Sequence, residues 1–448
     1  MQSPVRRRPA LLAIALCVSV LSLVPGGCVT ESGTGGAPGD HPPESPVVAP
    51  EELPRIPELP GRAPRYPRLL PDPEPRPEQS PGRTPPRGTQ RRGNPPRPST
   101  DPQIESFLDS LSLRQRIGQR FIAHVPGTHI THGAGSDIVD VAPAGFIIYP
   151  WNFRTADDVR LLTDSLQFIT SIVTPGISLL LCADQEGGRV ATFRFPEFVR
   201  LPSAAALGRL ADPALIRSAA YVTARQLADL GVNMNLAPVL DLSAHADASI
   251  IGDRSYGPDP DTVSAMVRPY LEASRAAGVI SAAKHFPGHG VTRVDSHTEL
   301  PVVATTRSEL EARDLRPFGE AIAAGVPAIM TGHLLFKAID PFYPVTISRI
   351  FLHDLLRGEL GYTGVVMTDG LEMAAIRAHF DLRETLVRLF RYDVDLILLY
   401  EEYDVVEMVD LVLDLHAAGE ITEDDINRGV RRVLALKREY GLVEGVAP

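Results

Sequence analysis

From about Asp101 onward, short apolar runs alternate with amphipathic stretches. The runs are QRFIAHV, AGFIIYP, ISLLLCAD, NMNLAPVLDL, VISAAKHF, PAIMTGH, GVVMTDG and VDLILLY. Most are apolar at successive positions rather than at alternate ones, as in strands covered on both faces. Between them, ADDVRLLTDSLQFITSIV and PDTVSAMVRPYLEASRAAG place apolar residues at helical spacing. Eight buried strands separated by helices predict an α/β fold, a parallel (β/α)8 barrel. The rival is an open doubly wound sheet, which normally carries a G-x-G-x-x-G first turn. QEGGRV comes nearest and lacks that spacing. No internal repeat longer than one strand-helix unit is visible.

The pattern differs before this region. Arg6, Arg7 and Arg8 precede the apolar run ALLAIALCVSVLSLV, and PGGC follows, ending in Cys28. A basic start, a short apolar run and small residues predict a signal segment over residues 1–28. The run is short for a spanning helix, which needs about 20 apolar residues. The site is similar to a bacterial lipoprotein box, although Pro25 and Gly26 depart from the aliphatic-then-small pattern. Lipidation of Cys28, which would anchor the chain to a membrane, and ordinary cleavage nearby are the two readings. Both export the protein to the cell envelope or beyond. Residues 29–101 hold about half of the 42 prolines and few large apolar residues. Such a segment cannot bury a core, so a disordered, polyproline-like tether is expected. At about 3.1 Å per residue it would reach on the order of 200 Å. The barrel domain is expected over residues 102–448.

Composition narrows the partners. A net charge of −11 argues against a nucleic-acid binder. With three cysteines, Cys17 among them inside the leader, no disulfide framework is expected. Cys182, within SLLLCAD, reads as a small buried hydrophobe.

Polar residues gather where the predicted strands end: Asp184, Asp241, Lys284 with His285, His333 and Asp369. In a barrel these ends share one face, where the chemistry lies. The densest stretch is KHFPGHGVTRVDSH, Lys284 to His297. His285 and His289 have the spacing of zinc-ligand histidines on a helix, but the Pro-Gly step between them breaks a helix and no glutamate follows the first. No metal is therefore expected. No G-x-S-x-G elbow supports a serine hydrolase. Paired acid–base chemistry on a sugar bond fits better. Asp369 serves as the carboxylate. His297 serves as proton donor, its ordinary pKa of about 6.5 suited to giving and taking a proton. Asp295 holds the other ring nitrogen of His297. The glycines of PGHG let the loop swing. Taken one at a time, these residues also have structural readings. Asp369 would cap a helix, His289 would brace the loop, and Asp241 and His333 would orient neighbours. Arg189 would pair with a carboxylate, and Lys284 would belong to an ion pair.

ADQEGGRV, GDRSYGPDP, KHFPGHGVTRVDSH and VVMTDGLEM stand in the order and spacing of glycoside hydrolase family 3. The chain resembles its single-domain β-N-acetylglucosaminidase (β-hexosaminidase) branch over nearly all of residues 104–440. GVNMNLAPVLDL and the helix LSLRQRIGQRFI fit the same pattern. The resemblance implies a retaining mechanism in which Asp369 forms a glycosyl-enzyme and His297, oriented by Asp295, protonates the leaving group and then activates water. It also implies that Asp184, Arg254, Lys284 and His285 bind the sugar. No metal or organic cofactor is implied, and relatives that draw a glutamate from a second domain are set apart, because the chain ends soon after the eighth strand. The expected partner is a glycan containing N-acetylglucosamine, from peptidoglycan or a chitin-type oligosaccharide, acted on by a monomer. Two departures stand out. Thr192 occupies the family's usual arginine position, with Arg194 two residues later, either reaching the same subsite or losing the contact. Gly370 replaces an acidic residue often found after the nucleophile. Two alternatives remain: phosphorolysis on the same site, because a neutral histidine would not repel phosphate, and a tethered glycan-binding protein with a decayed site.

Overall fold

A computed structural model describes residues 101–128, 132–243, 250–289 and 299–443, all within Arg92–Pro448. The leader expected over residues 1–28, and the tether up to residue 100, lie outside them, as do Asp295 and His297.

All eight expected strands form, in order: β1 Phe121–His124, β2 Gly145–Ile147, β3 Leu180–Ala183, β4 Met234–Asn235, β5 Ile280–Phe286, β6 Ala328–Thr331, β7 Val365–Thr368 and β8 Ile397–Leu398. They make one parallel sheet ordered 7-6-5-4-3-2-1-8. Phe121 pairs with Ile397 across β1 and β8, and Val365 with Ala328 across β7 and β6. The seam between β7 and β8 is closed by one bridge, Met367 with Leu396. The architecture is therefore a barrel rather than an open sheet. At the seam, side chains add to main-chain bonds, in which Leu396 N donates to the Val366 carbonyl at 3.1 Å, Thr368 N to that of Leu396 at 3.0 Å and Leu371 N to that of Leu398 at 3.1 Å. Thr368 Oγ1 accepts from Leu398 N at 3.0 Å, Asp395 Oδ2 from Val366 N at 2.8 Å, and Glu372 Oε1 from Tyr400 N at 2.5 Å.

The barrel is filled by the apolar runs themselves: Ile122, Ile147, Leu180, Cys182, Met234, Ile280, Ala282, Met330, Met367 and Leu398 are buried together. Cys182 is a free, buried thiol, as its setting implied. Outside, the helix Ala156–Val173 opens on a Thr155–Asp158 capping box and buries Val159, Leu162, Leu166 and Ile169, the i, i+3, i+4 stripe of a helix lying on a sheet. Asp259 caps Pro260–Ala276, with Pro260 in its first turn, where a missing N–H costs nothing.

The helix expected through LSLRQRIGQRFI is shorter than its apolar pattern. It runs from Leu113 to Gly118, and β1 begins three residues later. Arg120 explains the break. Its buried guanidinium donates to the carbonyls of Asp395 (2.8 Å), Asp425 (2.9 Å) and Ile426 (3.1 Å), and to that of Val394. Gly429 makes room, since a Cβ there would lie 2.4 Å from the Arg120 guanidinium.

Candidate active site

The β3 strand delivers Asp184, and the chain turns at once into a small antiparallel hairpin, Gln185–Gly187 with Val190–Ala191. Gly187 and Gly188 sit at φ +99° and +56°, and a Cβ on Gly188 would meet Ser203 at 2.7 Å. The turn thus requires glycine twice. It aims Glu186 inward, a residue the sequence reading did not single out. Glu186 Oε1 lies 2.7 Å from Lys284 Nζ, and its two oxygens take the Arg254 guanidinium in a fork at 2.8 Å each. Lys284 Nζ also reaches Asp184 Oδ1 at 2.5 Å. Burial opposes the charge on Glu186, but Lys284 and Arg254 outweigh it and hold the carboxyl at about 2. Burial likewise opposes the Lys284 charge, and Asp184 and Glu186 more than restore it. Three residues expected to bind sugar, Asp184, Lys284 and Arg254, are therefore one ionic unit with Glu186 as its hub.

The fourth, His285, is fixed from below. Asp241, fully buried after β4, lies 2.6 Å from His285 Nδ1 and accepts the His289 main-chain N–H at 2.6 Å. The network assigns the Nδ1 proton to the Asp241 bond. That leaves Nε2 facing Arg254 at 3.5 Å and Asp369 Oδ2 at 3.9 Å. His289 packs edge-on against His285, with ring centres 5.7 Å apart. Burial pushes its imidazole down to about 4, so it is neutral at pH 7.

Asp369 follows β7, with its side chain 25% exposed to the mouth. It does not cap a helix: the next one begins at Ala374, with Met373 at the cap position. Its Oδ1 accepts from Gly370 N at 2.9 Å. His333 holds the same turn, with Nε2 2.9 Å from the Gly370 carbonyl and Nδ1 2.7 Å from Thr346 Oγ1. Desolvation opposes the Asp369 charge. Interactions with the His285 and His333 imidazoles, the Gly370 N–H and Lys284 outweigh it and hold the carboxyl at about 2. An attacking carboxylate must be ionised, and this one loses its charge only as pH falls through that value. The expected kcat/KM profile therefore has no acid limb from Asp369 between about pH 3 and 7. An Asp369 titration seen by carbon-13 NMR within that window would contradict this environment.

Elsewhere, Thr192 is buried and donates from Oγ1 to the Asp184 carbonyl at 2.9 Å. At the family's usual arginine position the chain thus has a clamp on the Asp184 main chain. Arg194 is exposed and turns back to its own hairpin, bonding the Ala191 carbonyl at 3.0 Å and that of Arg189. Arg189 pairs with Asp253 at 2.7 Å, both largely exposed. Beside Gly370 an acid is present after all: a Cβ at 370 would lie 3.7 Å from Glu372 Oε2. Burial pushes that carboxyl up to about 7.

The arrangement joins a carboxylate kept ionised, a fork of buried cations and carboxylates for hydroxyl groups, and an oriented imidazole at the C-terminal mouth of a barrel. Residues 112–436 match the glycosyl hydrolase family 3 N terminal domain. The chain belongs to glycosyl hydrolase family 3. Its curated relatives include the β-hexosaminidases of Alkalilimnicola ehrlichii, 40% identical over 52% of this chain and 66% of theirs, and of Nitrosospira multiformis, 33% identical over 67% and 86%. Among solved structures, a family 3 β-N-acetylglucosaminidase from Paenibacillus sp. superposes with a TM-score of 0.71 at 38% identity, covering 75% of this chain and 64% of that one. The β-N-acetylhexosaminidase of Beutenbergia cavernae superposes at 0.67 and 30% identity, covering 73% and 99%. The chain thus spans just under two thirds of the Alkalilimnicola and Paenibacillus proteins and nearly all of the Beutenbergia one. As a family 3 glycoside hydrolase it falls in the branch of these β-hexosaminidases.

Proposed function

We propose that this glycoside hydrolase is a retaining exo-β-N-acetylglucosaminidase that removes terminal N-acetylglucosamine from peptidoglycan fragments or chitin-type oligosaccharides. The observation that carries this reading is the Asp369 carboxylate, held at about 2 and 3.9 Å from His285 at the barrel mouth. The β-hexosaminidases among its relatives give the sugar class.

Asp184, Lys284, Arg254 and His285 bind the hydroxyl and N-acetyl groups of the terminal ring, and Glu186 and Asp241 hold their geometry. Charged, forked hydrogen bonds suit these edges. Asp369 attacks the anomeric carbon as the glycosidic bond breaks. In the roles implied by the family resemblance, His297 gives its proton to the departing oxygen, and Asp295 steadies the imidazole. Water, deprotonated by His297, then releases the sugar from Asp369 with its original anomeric configuration. The apolar leader and Cys28 support export and a lipid tether, with hydrolysis occurring in the cell envelope.

The test uses an aryl β-N-acetylglucosaminide in phosphate-free and phosphate-containing buffer. Free sugar released first as the β-anomer, by proton NMR, in both buffers is the expected result. Sugar 1-phosphate would mark phosphorolysis, an α-anomer would overturn retention, and binding without cleavage would mark the decayed-site reading.

A further inference from the structure

The chain contains one tryptophan, and it stands at the mouth, not in the core. Tyr149 and Trp151 flank Pro150 just after β2, their rings stacked 4.5 Å apart at 15°. Tyr400, just after β8, meets both on edge, at 5.1 and 5.9 Å and angles of 83° and 86°. The group is firmly seated. Buried Asn152 donates to the carbonyls of Val125 (2.7 Å) and Gly127 (2.6 Å), while its Oδ1 accepts from Tyr149 N at 2.8 Å. On the other side, Tyr400 N is held by Glu372, three residues beyond Asp369. Yet Trp151 remains 42% exposed. The side chain with the most apolar surface to bury is braced on one face and left open to the mouth.

We propose that Tyr149, Trp151 and Tyr400 form a leaving-group-side platform that stacks against the second pyranose ring of a β-linked glycan. This rests on the glycosidase reading above. The chemistry separates the two halves of the mouth. The ionic unit on β3 to β5 reads hydroxyl and amide edges of the terminal ring. The trio, on β2 and β8, fills the other arc between the Asp184 and Asp369 strands. A β-linked pyranose with equatorial substituents offers axial C–H groups on each face, and an aromatic ring covers that apolar face without reading its hydroxyls. The platform therefore selects for a β-linked ring in the outer position while tolerating bulky ether or acyl substituents on its rim. Burial first, and then the negative charges of Asp184, Tyr400, Asp369 and Glu372, push the Tyr149 hydroxyl upward, consistent with a ring bordering the same mouth.

Because Trp151 is the sole tryptophan, its emission reports on this surface alone. In Asp369→Asn protein, N,N'-diacetylchitobiose is expected to blue-shift the emission, and N-acetylglucosamine to leave it nearly unchanged. In otherwise wild-type protein, Trp151→Ala is expected to lower kcat/KM for the disaccharide, relative to that for β-N-acetylglucosaminyl fluoride, by about tenfold. Trp151→Phe should recover most of that ratio. Phe168→Ala, removing a ring 52% exposed on an outer helix, should not move it. Equal emission changes with both sugars, or a disaccharide-to-fluoride ratio within about twofold of wild type in Trp151→Ala, would overturn the platform. The emission measurement needs no turnover. If the wild type cleaved neither substrate, the glycosidase reading would fail, and the emission would still decide the platform.

Discussion

Asp369→Ala is expected to lower kcat by about 10⁴- to 10⁶-fold, the range for removing the nucleophile of a covalent mechanism. The protein should stay folded. Asp369 bonds its own neighbour, Gly370 N, and otherwise makes a long 3.9 Å approach to His285. Its carboxylate also lies near the barrel mouth, so its loss leaves no cavity in the core. The melting temperature should stay within about 3 °C of wild type. Azide added to the variant should enter where Asp369 attacked and give an α-glycosyl azide from a β-aryl substrate, detectable by mass spectrometry and NMR. Retained activity in a folded Asp369→Ala protein would remove the central mechanism.

Glu186→Ala is expected to damage stability and binding together. Its carboxylate is the shared partner of Lys284 and Arg254, and removing one member of a buried ion network strands the others at about 3–5 kcal/mol. Linkage gives an independent check. Its folded pKa, about 2, lies below the ordinary 4.5, so its contribution is complete above the unfolded value and lost as pH falls from 4.5 toward 2. The size of that contribution is about 3 kcal/mol. Urea denaturation should show the wild type losing stability over this window and Glu186→Gln losing less. With Lys284 and Arg254 no longer held in register, KM for the aryl glycoside should rise. A Glu186→Ala variant with wild-type stability and KM would show that the hub is incidental.

Much of this was legible in the chain. The eight strands were visible because a parallel barrel buries both strand faces, giving continuous apolar runs. Asp184, Lys284, His285 and Asp369 were visible because each ends such a run, where the barrel gathers them, whereas Arg254 was signalled only by the GDRSYGPDP motif. Glu186 was not, because its meaning lies in partners 68 and 98 positions away. Within QEGGRV it reads as one polar residue of a tight turn. The available signal was an acid two residues past Asp184, followed by paired glycines that force the chain back over the mouth. The aromatic trio was hidden likewise: Tyr149 and Trp151 meet Tyr400 only when β8 closes beside β1. The end of the helix at Leu113–Gly118 was misjudged because Arg120, charged and near a strand, gives no local sign that it is to be buried against four carbonyls. Asp295 and His297 were the most explicit motif, and they lie outside the described residues.

The seam between β7 and β8 has an evolutionary consequence. Its strands are spaced in part by main-chain bonds, which no point mutation removes. Thr368, Asp395 and Glu372 add side-chain acceptors to these, so part of what holds Tyr400 beside the Asp369 strand is written in replaceable residues. A lineage under pressure to accept a different partner at the mouth can tune that share one codon at a time, while the main-chain ladder keeps the sheet closed.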